Sequence, residues 1–475
     1  MIMAEHSGGE NVHTRKIADF VSQFRYEQIP EDVRERVKLL ILDSLGCGIY
    51  GAKLHWCRII QDTFGSLDAT RTASVWGTGQ KLSSPNAALV NGTQVQGFEL
   101  DDVHRVGVLH CGAVTLPAVI AIAETHADLS GRDFLAAVVA GYEIGPRVGK
   151  CMGQEHIGQG WHSGATLGVF SAATGAARAL SLTGEETVHA LGIAGTQSSG
   201  LMAAQYGAMV KRMHAGRASQ SGLYGALLAR AGFTGIADVF EAPYGGFCTT
   251  FSRSQDRFDL DELSAGLGER FETMGIALKF YSCVGSNHTT LDAIRDIRKR
   301  RPFTPDELDR IVVHGSQVTV DHVGWQYRPE GLTSAQLNLP YCVATLLLEG
   351  DVFVDQFSEQ AVHDQERIAL SRKVQVSEDP AITAEGAKMR HKVRVDVHLR
   401  DGSVQSETRE APRGSEQSFA PTAEIVEKFC KLTRQAMSQR QQEDLLQAVL
   451  GLEKLANAKE LVRHLRTMNN ASMVA

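Results

Sequence analysis

Features that mark several well-known protein classes are missing from this sequence of 475 residues. Its net charge is -7, so it has no basic surplus with which to release counterions from a nucleic acid. No stretch reaches the run of about 18 apolar residues that a membrane span needs, and residues 1–11 lack the apolar core of a signal peptide. The sequence therefore predicts a cytoplasmic protein that binds neither nucleic acid nor membrane.

Sequence motifs for common cofactors are also missing. The eight cysteines are scattered without a CxxC pair, which predicts reduced thiols rather than a disulfide framework. No GxGxxG follows a strand-like segment, and GxxxxGK[ST] and HExxH are absent, as is a GxSxG in the context of a nucleophile elbow. We therefore predict no cofactor and no metal, although a metal hydrolase with histidine and aspartate ligands from separate segments stays an open alternative.

Hydrophobic periodicity divides the chain into helical and mixed parts. The composition, 43% hydrophobic and 22% charged, is that of a globular protein long enough for two domains. Residues 14–235 read as successive helices, with a capping box at residues 183–186. Strand-like segments follow at residues 310–318 and 393–399, and an Asp-Gly hairpin signal comes directly after the second.

Helical periodicity returns from Thr422 onward. We therefore predict a mainly α fold, in which a smaller α+β lid domain is inserted into a large all-helical domain. The predicted boundaries are 1–270 plus 405–475 for the all-helical domain and 271–404 for the lid domain.

Titratable side chains are concentrated first in residues 97–113. This segment contains Glu99, Asp101, Asp102, His104 and His110 within twelve residues. Adjacent carboxylates and imidazoles shift one another's pKa values, which is what general acid–base catalysis requires. The alternative interpretation is a solvated helix end with capping acids.

Three further segments carry histidines or cations where a plain helical bundle would not need them. Residues 158–166 place a histidine in a glycine-rich loop before a helix, which favours an anionic ligand. Residues 209–217 place cations and a histidine before a helix of small residues, and residues 279–288 lie at the junction of the predicted domains. A structural histidine and a solvated basic loop are the simpler alternatives. The residues singled out here are His162, Lys211, Arg212, His214 and His288.

Taken together, these segments resemble the MmgE/PrpD family, which includes 2-methylcitrate dehydratase, cis-aconitate decarboxylase and iminodisuccinate epimerase. The resemblance covers roughly residues 14 to 450 in order and spacing. It implies a two-domain homodimer with an active site in the cleft between the domains, a small carboxylate substrate and no cofactor. The segments that carry it are Asn91-Gly92, Glu99 to His104, His110 to Ala113, Gly160 to His162, Lys211 to Gly216 and Cys283 to His288.

The resemblance also implies a set of site residues. Glu99 lies where the family usually has aspartate, and Val103 and Cys111 depart from its usual threonine and proline. We predict that Lys211, with His214 or Arg212, binds substrate carboxylates while two histidines move protons. The predicted catalytic residues are His162, His110, Lys211, Glu99 and Asp102, and the predicted substrate-binding residues are His104, Arg212, His214 and His288.

These residues predict a cofactor-independent lyase that acts by general acid–base catalysis on a small di- or tricarboxylate. The first choice of reaction is dehydration or hydration of a β-hydroxy acid of the 2-methylcitrate type, because elimination of water needs one group to take a proton and another to give one. A decarboxylase of the cis-aconitate type and an epimerase of the iminodisuccinate type would use the same side chains. A non-catalytic carboxylate-binding protein is the remaining alternative.

Overall fold

The computed structural model describes residues 12–153, 155–386 and 389–466. Helices dominate it, which confirms the prediction of a mainly α fold. The helices are α1 (Val12–Gln23), α2 (Glu31–Gly51), α3 (His55–Leu67), α4 (Ser84–Val95), α5 (Cys111–Thr125), α6 (Gly131–Met152), α7 (Glu155–Gly158), α8 (Ser163–Thr166), α9 (Gly168–Ala179), α10 (Gly184–Gly195), α11 (Val210–Arg230), α12 (Phe247–Ser252), α13 (Gly285–Arg300), α14 (Gln317–Val323), α15 (Leu332–Leu337), α16 (Leu339–Glu349), α17 (Glu359–Val362), α18 (Gln365–Ser371), α19 (Pro380–Ala384), α20 (Thr422–Thr433), α21 (Gln439–Leu450) and α22 (Lys459–His464).

The strands are short and few. They are β1 (Ala73–Ser74), β2 (Lys81–Leu82), β3 (Val103–His104), β4 (Ile276–Ala277), β5 (Leu308–Gly315), β6 (Val374–Glu378), β7 (Val393–Leu399) and β8 (Val404–Arg409). The last four form one sheet in the order β6-β5-β7-β8, in which β5 and β6 are parallel and the other pairs antiparallel. Gly402, with φ of 86°, makes the turn between β7 and β8, so the predicted Asp-Gly hairpin is confirmed. The sheet runs past the predicted boundary at residue 404.

Local sequence signals explain where several helices begin. Thr183 accepts a hydrogen bond from the Glu186 amide at 3.2 Å, and the Glu186 carboxylate accepts one from the Thr183 amide at 2.8 Å. This reciprocal capping box starts α10, as the sequence predicts. The similar box at Thr304 starts only a short 3-10 turn, residues 305–307, before β5 begins.

Two glycines set the distance between α4 and α11. A Cβ on Gly92 would lie 2.7 Å from the Cα of Gly216, and a Cβ on Gly216 would overlap the carbonyl oxygen of Leu89. The helix backbones therefore touch, because neither position carries a side chain. This contact brings the residues that follow α4 next to the first turns of α11.

The chain ends by returning to its first helices. Helices α20 and α21 pack against α2, and α22 packs against α5, so residues after the sheet help to support the segment between α4 and α5. The eight cysteines are all free thiols. Within the described residues, no helix is both long and apolar enough to cross a membrane. The division into two domains and the homodimer stay predictions.

Candidate active site

A cavity of about 650 Å³ lies between helical segments before α12 and residues that follow β4. This volume falls within the range of about 300–1,000 Å³ that is typical of small-molecule sites. Five of the predicted site residues line it, namely Glu99, His110, His162, Lys211 and His288. The cavity lining does not include the other four, Asp102, His104, Arg212 and His214.

Glu99 is the centre of an inner cluster of charges, which we define as Glu99, Lys211, Arg212 and Lys279. Its carboxylate accepts a short hydrogen bond from Lys211, one of 2.6 Å from Arg212 Nη1 and one of 3.4 Å from Lys279 Nζ. Burial alone would raise the pKa of Glu99, but the three cations hold it well below its usual value. One carboxylate thus faces three cations, which leaves positive charge for an anionic ligand.

Backbone conformation and helix position bring this cluster together. Glu99 ends the 3-10 turn after α4 with φ of 56°, a left-handed conformation that is uncommon for a residue with a Cβ. Lys211 and Arg212 lie in the first turn of α11 and are buried. The prediction that residues 209–217 precede this helix as a loop was wrong, because α11 already starts at Val210.

Strand pairing decides which side chains after Asp102 reach the cavity. Val103 of β3 pairs with Ala277 of β4, and both residues line the cavity together with Arg105 and Lys279. Successive side chains of a strand point to opposite faces. His104 therefore points to the other face.

On the other face of β3, a buried histidine contacts a buried carboxylate. His104 Nε2 lies 3.2 Å from Glu272 Oε2, and its Nδ1 accepts a hydrogen bond of 2.9 Å from the Gly107 amide. Burial alone would raise the pKa of Glu272, but His104 and Lys150 lower it to about 2. The contacts of His104 are thus to the protein itself.

His110 is oriented by the two acids that precede it. Its Nδ1 lies 2.9 Å from Asp101 Oδ2 and 2.8 Å from the carbonyl oxygen of Asp102. Burial would raise the pKa of Asp101, yet the charge and hydrogen bond of His110 lower it. Because Nδ1 is engaged, Nε2 is the nitrogen that His110 offers to a ligand in the cavity.

Asp102 faces away from the cavity and caps α5. Both of its carboxylate oxygens lie 3.0 Å from the amide nitrogen of Gly112. Burial, reinforced by the nearby carboxylate of Asp101, raises the pKa of Asp102 well above its usual value. Asp102 thus reaches His110 through its backbone carbonyl rather than through its side chain.

His162 also lines the cavity and lies directly before α8. Its Nδ1 lies 3.0 Å from Nδ1 of His214, which is buried one turn after Lys211 on α11. Burial, with the nearby charge of Lys211, lowers the pKa of His162 well below its usual value and lowers that of His214. Both imidazoles are therefore neutral near pH 7, with one nitrogen donating and the other accepting.

A buried ion pair lies behind the segment that carries Glu99. Lys428 Nζ of α20 is 2.6 Å from Asp43 Oδ1 of α2 and donates a hydrogen bond of 2.7 Å to the carbonyl oxygen of Leu100. Burial would lower the pKa of Lys428, but Asp43 raises it. A charged lysine from the C-terminal helices therefore holds residue 100 in place.

Groups of three or more histidine, cysteine, aspartate or glutamate side chains that could hold a metal ion are absent from the described ranges of the chain. The charged and titratable side chains that line the cavity are lysines, arginines and histidines together with Glu99, Asp321 and Glu330. This set suits the binding of carboxylates and the transfer of protons.

Comparison with known proteins identifies the chain. The pattern of the MmgE/PrpD N-terminal domain matches residues 15–259, and that of the MmgE/PrpD C-terminal domain matches residues 281–454. The chain belongs to the MmgE/PrpD family. The resemblance predicted from the sequence is thereby confirmed.

Relatives of this chain are named for two different reactions, decarboxylation and dehydration. A cis-aconitate decarboxylase-like protein of Aspergillus oryzae is 34% identical over 466 residues, which cover 94% of this chain and 96% of that protein. A cis-aconitate decarboxylase of Aspergillus terreus is 34% identical, with 94% and 95% covered. A 2-methylcitrate dehydratase of Escherichia coli is 22% identical, with 78% and 79% covered. Decarboxylases and dehydratases are lyases, so the prediction of an MmgE/PrpD-like lyase is confirmed.

Several residues that line the cavity or lie directly behind it were missed by the sequence interpretation. Asp101 was noted only as part of an acidic segment, and Lys279 only as the first residue of another. Arg105 lies in the turn directly after the two-residue strand β3, where no periodicity of the sequence marks it. Arg390 and His391 precede β7 and lie outside every motif, so only the tertiary structure brings them to the cavity.

Proposed function

We propose that this MmgE/PrpD lyase decarboxylates an unsaturated tricarboxylate of the cis-aconitate type. The observation that carries the proposal is the inner cluster, in which three buried cations surround one carboxylate at the wall of a cavity that His110 also lines. The similarity over nearly the whole length to proteins named for cis-aconitate decarboxylation favours this reaction over the dehydration that was the first choice from the sequence.

Decarboxylation with a shift of the double bond needs cations and one proton donor. The bond between the methylene carbon and its carboxylate breaks, and carbon dioxide leaves. The electron pair forms a new double bond, and the displaced π electrons move onto the carbon next to a second carboxylate. Lys211 and Lys279 would stabilise that enediolate-like charge. One proton added to this carbon completes the reaction, so each turnover consumes one proton.

His110 is the proton donor that the geometry favours. Asp101 Oδ2 lies 2.9 Å from Nδ1 and holds the ring in place, so that Nε2 can carry a proton towards the cavity. Lys211, whose pKa is lowered by burial, is the second group that could donate. In this scheme Glu99 positions Lys211, the backbone of Asp102 orients His110, and neutral His162 contacts the substrate beside them.

The test is proton NMR in deuterium oxide with purified, chelator-treated protein. We expect cis-aconitate to disappear and itaconate to form with one deuterium per molecule, together with released carbon dioxide. A His110→Gln variant should lose about 100-fold or more in kcat while the fold is retained. Intact cis-aconitate after prolonged incubation with folded wild-type protein would contradict the proposal, and loss of activity on chelation would favour a metal enzyme.

Dehydration of a β-hydroxy acid of the 2-methylcitrate type is the second candidate. The observation in its favour is that two of the histidines that line the cavity lie in opposite environments, since His162 is neutral and His110 is paired with an acid. One could take the proton from carbon and the other could protonate the leaving hydroxyl. In the same NMR experiment, new olefinic signals from 2-methylcitrate without release of carbon dioxide would favour this reaction. Exchange with inverted configuration on iminodisuccinate would instead indicate an epimerase.

A further inference from the structure

A second group of nitrogen donors lines the cavity outside the inner cluster. It consists of Arg105, Arg390 and His391, none of which was predicted as a site residue. Arg390 Nη2 donates a hydrogen bond of 3.2 Å to the carbonyl oxygen of Arg105. Arg105 Nη1 in turn lies 3.0 Å from Glu416. Arg390 thus contacts the backbone of Arg105, and His391 is the next residue along the chain. We call these three residues of the cavity lining the outer cluster.

The outer cluster contains buried nitrogen atoms without a partner. Arg105 is 7% exposed and His391 is 6% exposed. Within the described part of the chain, neither Arg105 Nε nor His391 Nδ1 has a hydrogen-bond partner. Buried polar atoms in proteins are nearly always hydrogen-bonded. These two atoms are enclosed, but the side chains that carry them line the cavity, so both side chains keep hydrogen-bonding capacity that the protein leaves unused.

Electrostatics make an anion the suitable ligand. Burial, with the charge of Arg105, lowers the pKa of Arg390 to about 10, so the guanidinium is still charged near pH 7. Burial and the charges of Arg390 and Arg105 lower the pKa of His391 well below its usual value. A carboxylate between these groups would relieve the repulsion and receive charge-assisted hydrogen bonds.

The short ribbon of β3 and β4 separates the outer cluster from the inner one. Val103 of β3 pairs with Ala277 of β4 in an antiparallel register. Arg105 lies directly after β3 and Lys279 two residues after β4, so the two side chains lie beyond opposite ends of the ribbon. Because lysine and arginine side chains are long, both can reach one ligand from opposite ends.

We infer that Arg105, Arg390 and His391 form a second carboxylate subsite, which binds a carboxylate of the substrate remote from the one held by Lys211 and Lys279. The inference rests on the proposed polycarboxylate substrate. It makes the outer cluster a determinant of specificity, because a substrate with a single carboxylate could occupy only one of the two subsites.

The test measures the binding of linear diacids of increasing length by isothermal titration calorimetry. Succinate, glutarate, adipate and pimelate are each compared with their monomethyl ester, which lacks one charge. For the diacid that spans both subsites, we expect the wild-type protein to have a Kd about tenfold or more below its Kd for the monomethyl ester. Arg390→Met should abolish this preference, whereas Arg390→Lys should retain part of it.

Arg394→Met is the matched control. Arg394 is a partly exposed arginine of the neighbouring strand β7 and does not line the cavity. Its replacement should leave the preference for the diacid unchanged. Thermal unfolding of every variant checks the fold, and His391→Gln, which should weaken the preference, replaces Arg390→Met if that variant does not fold.

Two outcomes would overturn the inference. One is a preference for the diacid that survives in Arg390→Met, and the other is a wild-type protein that binds diacids no better than their monoesters at every length. Neither outcome depends on turnover. Failure of wild-type protein to decarboxylate cis-aconitate would contradict the proposed reaction alone, and the diacid titrations would still decide whether the second subsite exists.

Discussion

The inner cluster and the neighbouring pair of His162 and His214 respond to burial in opposite ways. Glu99 is buried among three cations and has a lowered pKa, so it keeps its charge. Burial and the charge of Lys211 lower the pKa values of His162 and His214, which form no ion pair with a carboxylate among the described residues, so both are neutral. His156, whose pKa burial lowers to about 4, is neutral as well, although it does not line the cavity. Partners, rather than burial, therefore decide which of these side chains keeps its charge.

The largest expected effect comes from removing the support behind the inner cluster. Lys428→Met leaves Asp43 buried without its partner. We expect the free energy of unfolding to fall by about 3–5 kcal/mol in urea titrations. Lys431→Met is the control, since this lysine of the same helix is much more exposed. A loss below about 1 kcal/mol for Lys428→Met would show that the buried pair does not support the cluster.

The neutral histidines predict a loss of stability in acid. The pKa of His156 is about 4 in the folded protein and about 6.5 when unfolded, so between these values the unfolded chain binds more protons. Stability therefore falls as pH falls through this window, by about 3 kcal/mol from His156 alone. His156→Gln, measured by urea unfolding at pH 7 and pH 4.5, should have a smaller loss than the wild-type protein. Equal losses in the two proteins would contradict the neutral state of His156.

Removing the carboxylate from the inner cluster tests the other half of the comparison, the charged group. In Glu99→Gln the three cations remain without a carboxylate, and we expect kcat to fall by about 100-fold. Glu99 raises the pKa of Lys211, so the alkaline limb of the pH–rate profile should move to lower pH. Glu185→Gln, which changes an exposed carboxylate, should leave the profile unchanged. An unaltered kcat in Glu99→Gln would remove Glu99 from the proposed mechanism.

The smallest expected effect is on the link between the segments that carry His162 and His110. Ser163 Oγ donates a hydrogen bond of 2.6 Å to the carbonyl oxygen of Val108, which joins the segment of His162 to the loop before His110. Ser163→Ala should cost about 1 kcal/mol in unfolding free energy. Since both histidines are still oriented by their own partners, kcat should change less than twofold. A large drop in kcat at unchanged stability would mean that Ser163 itself contacts the substrate.

The fold was largely predictable because its signals are local. A capping box needs residues only three apart, and the β7–β8 hairpin follows from alternation and an Asp-Gly turn. The family resemblance was likewise readable, because Glu99, His110, His162 and Lys211 lie within continuous motifs.

The environment of each side chain was not predictable, since it depends on partners far apart in sequence. The sequence predicts that the Asp102 carboxylate shifts the pKa of a catalytic histidine. In the structure Asp102 caps α5, and its neighbour Asp101 contacts His110. His104 lies on the far face of a two-residue strand that becomes visible only when it pairs with β4. Arg390, about 285 residues after Arg105, meets it only in the folded chain.

The contact between Gly92 and Gly216 has a consequence for how mutations would be tolerated. Neither residue lines the cavity, yet the distance between α4 and α11 at this crossing sets where Glu99 stands relative to Lys211. A single methyl group at either position would push the helices apart and lengthen the ion pair between Glu99 and Lys211. In a library of random substitutions, these two hidden glycines should therefore be as intolerant of replacement as the residues that contact the substrate.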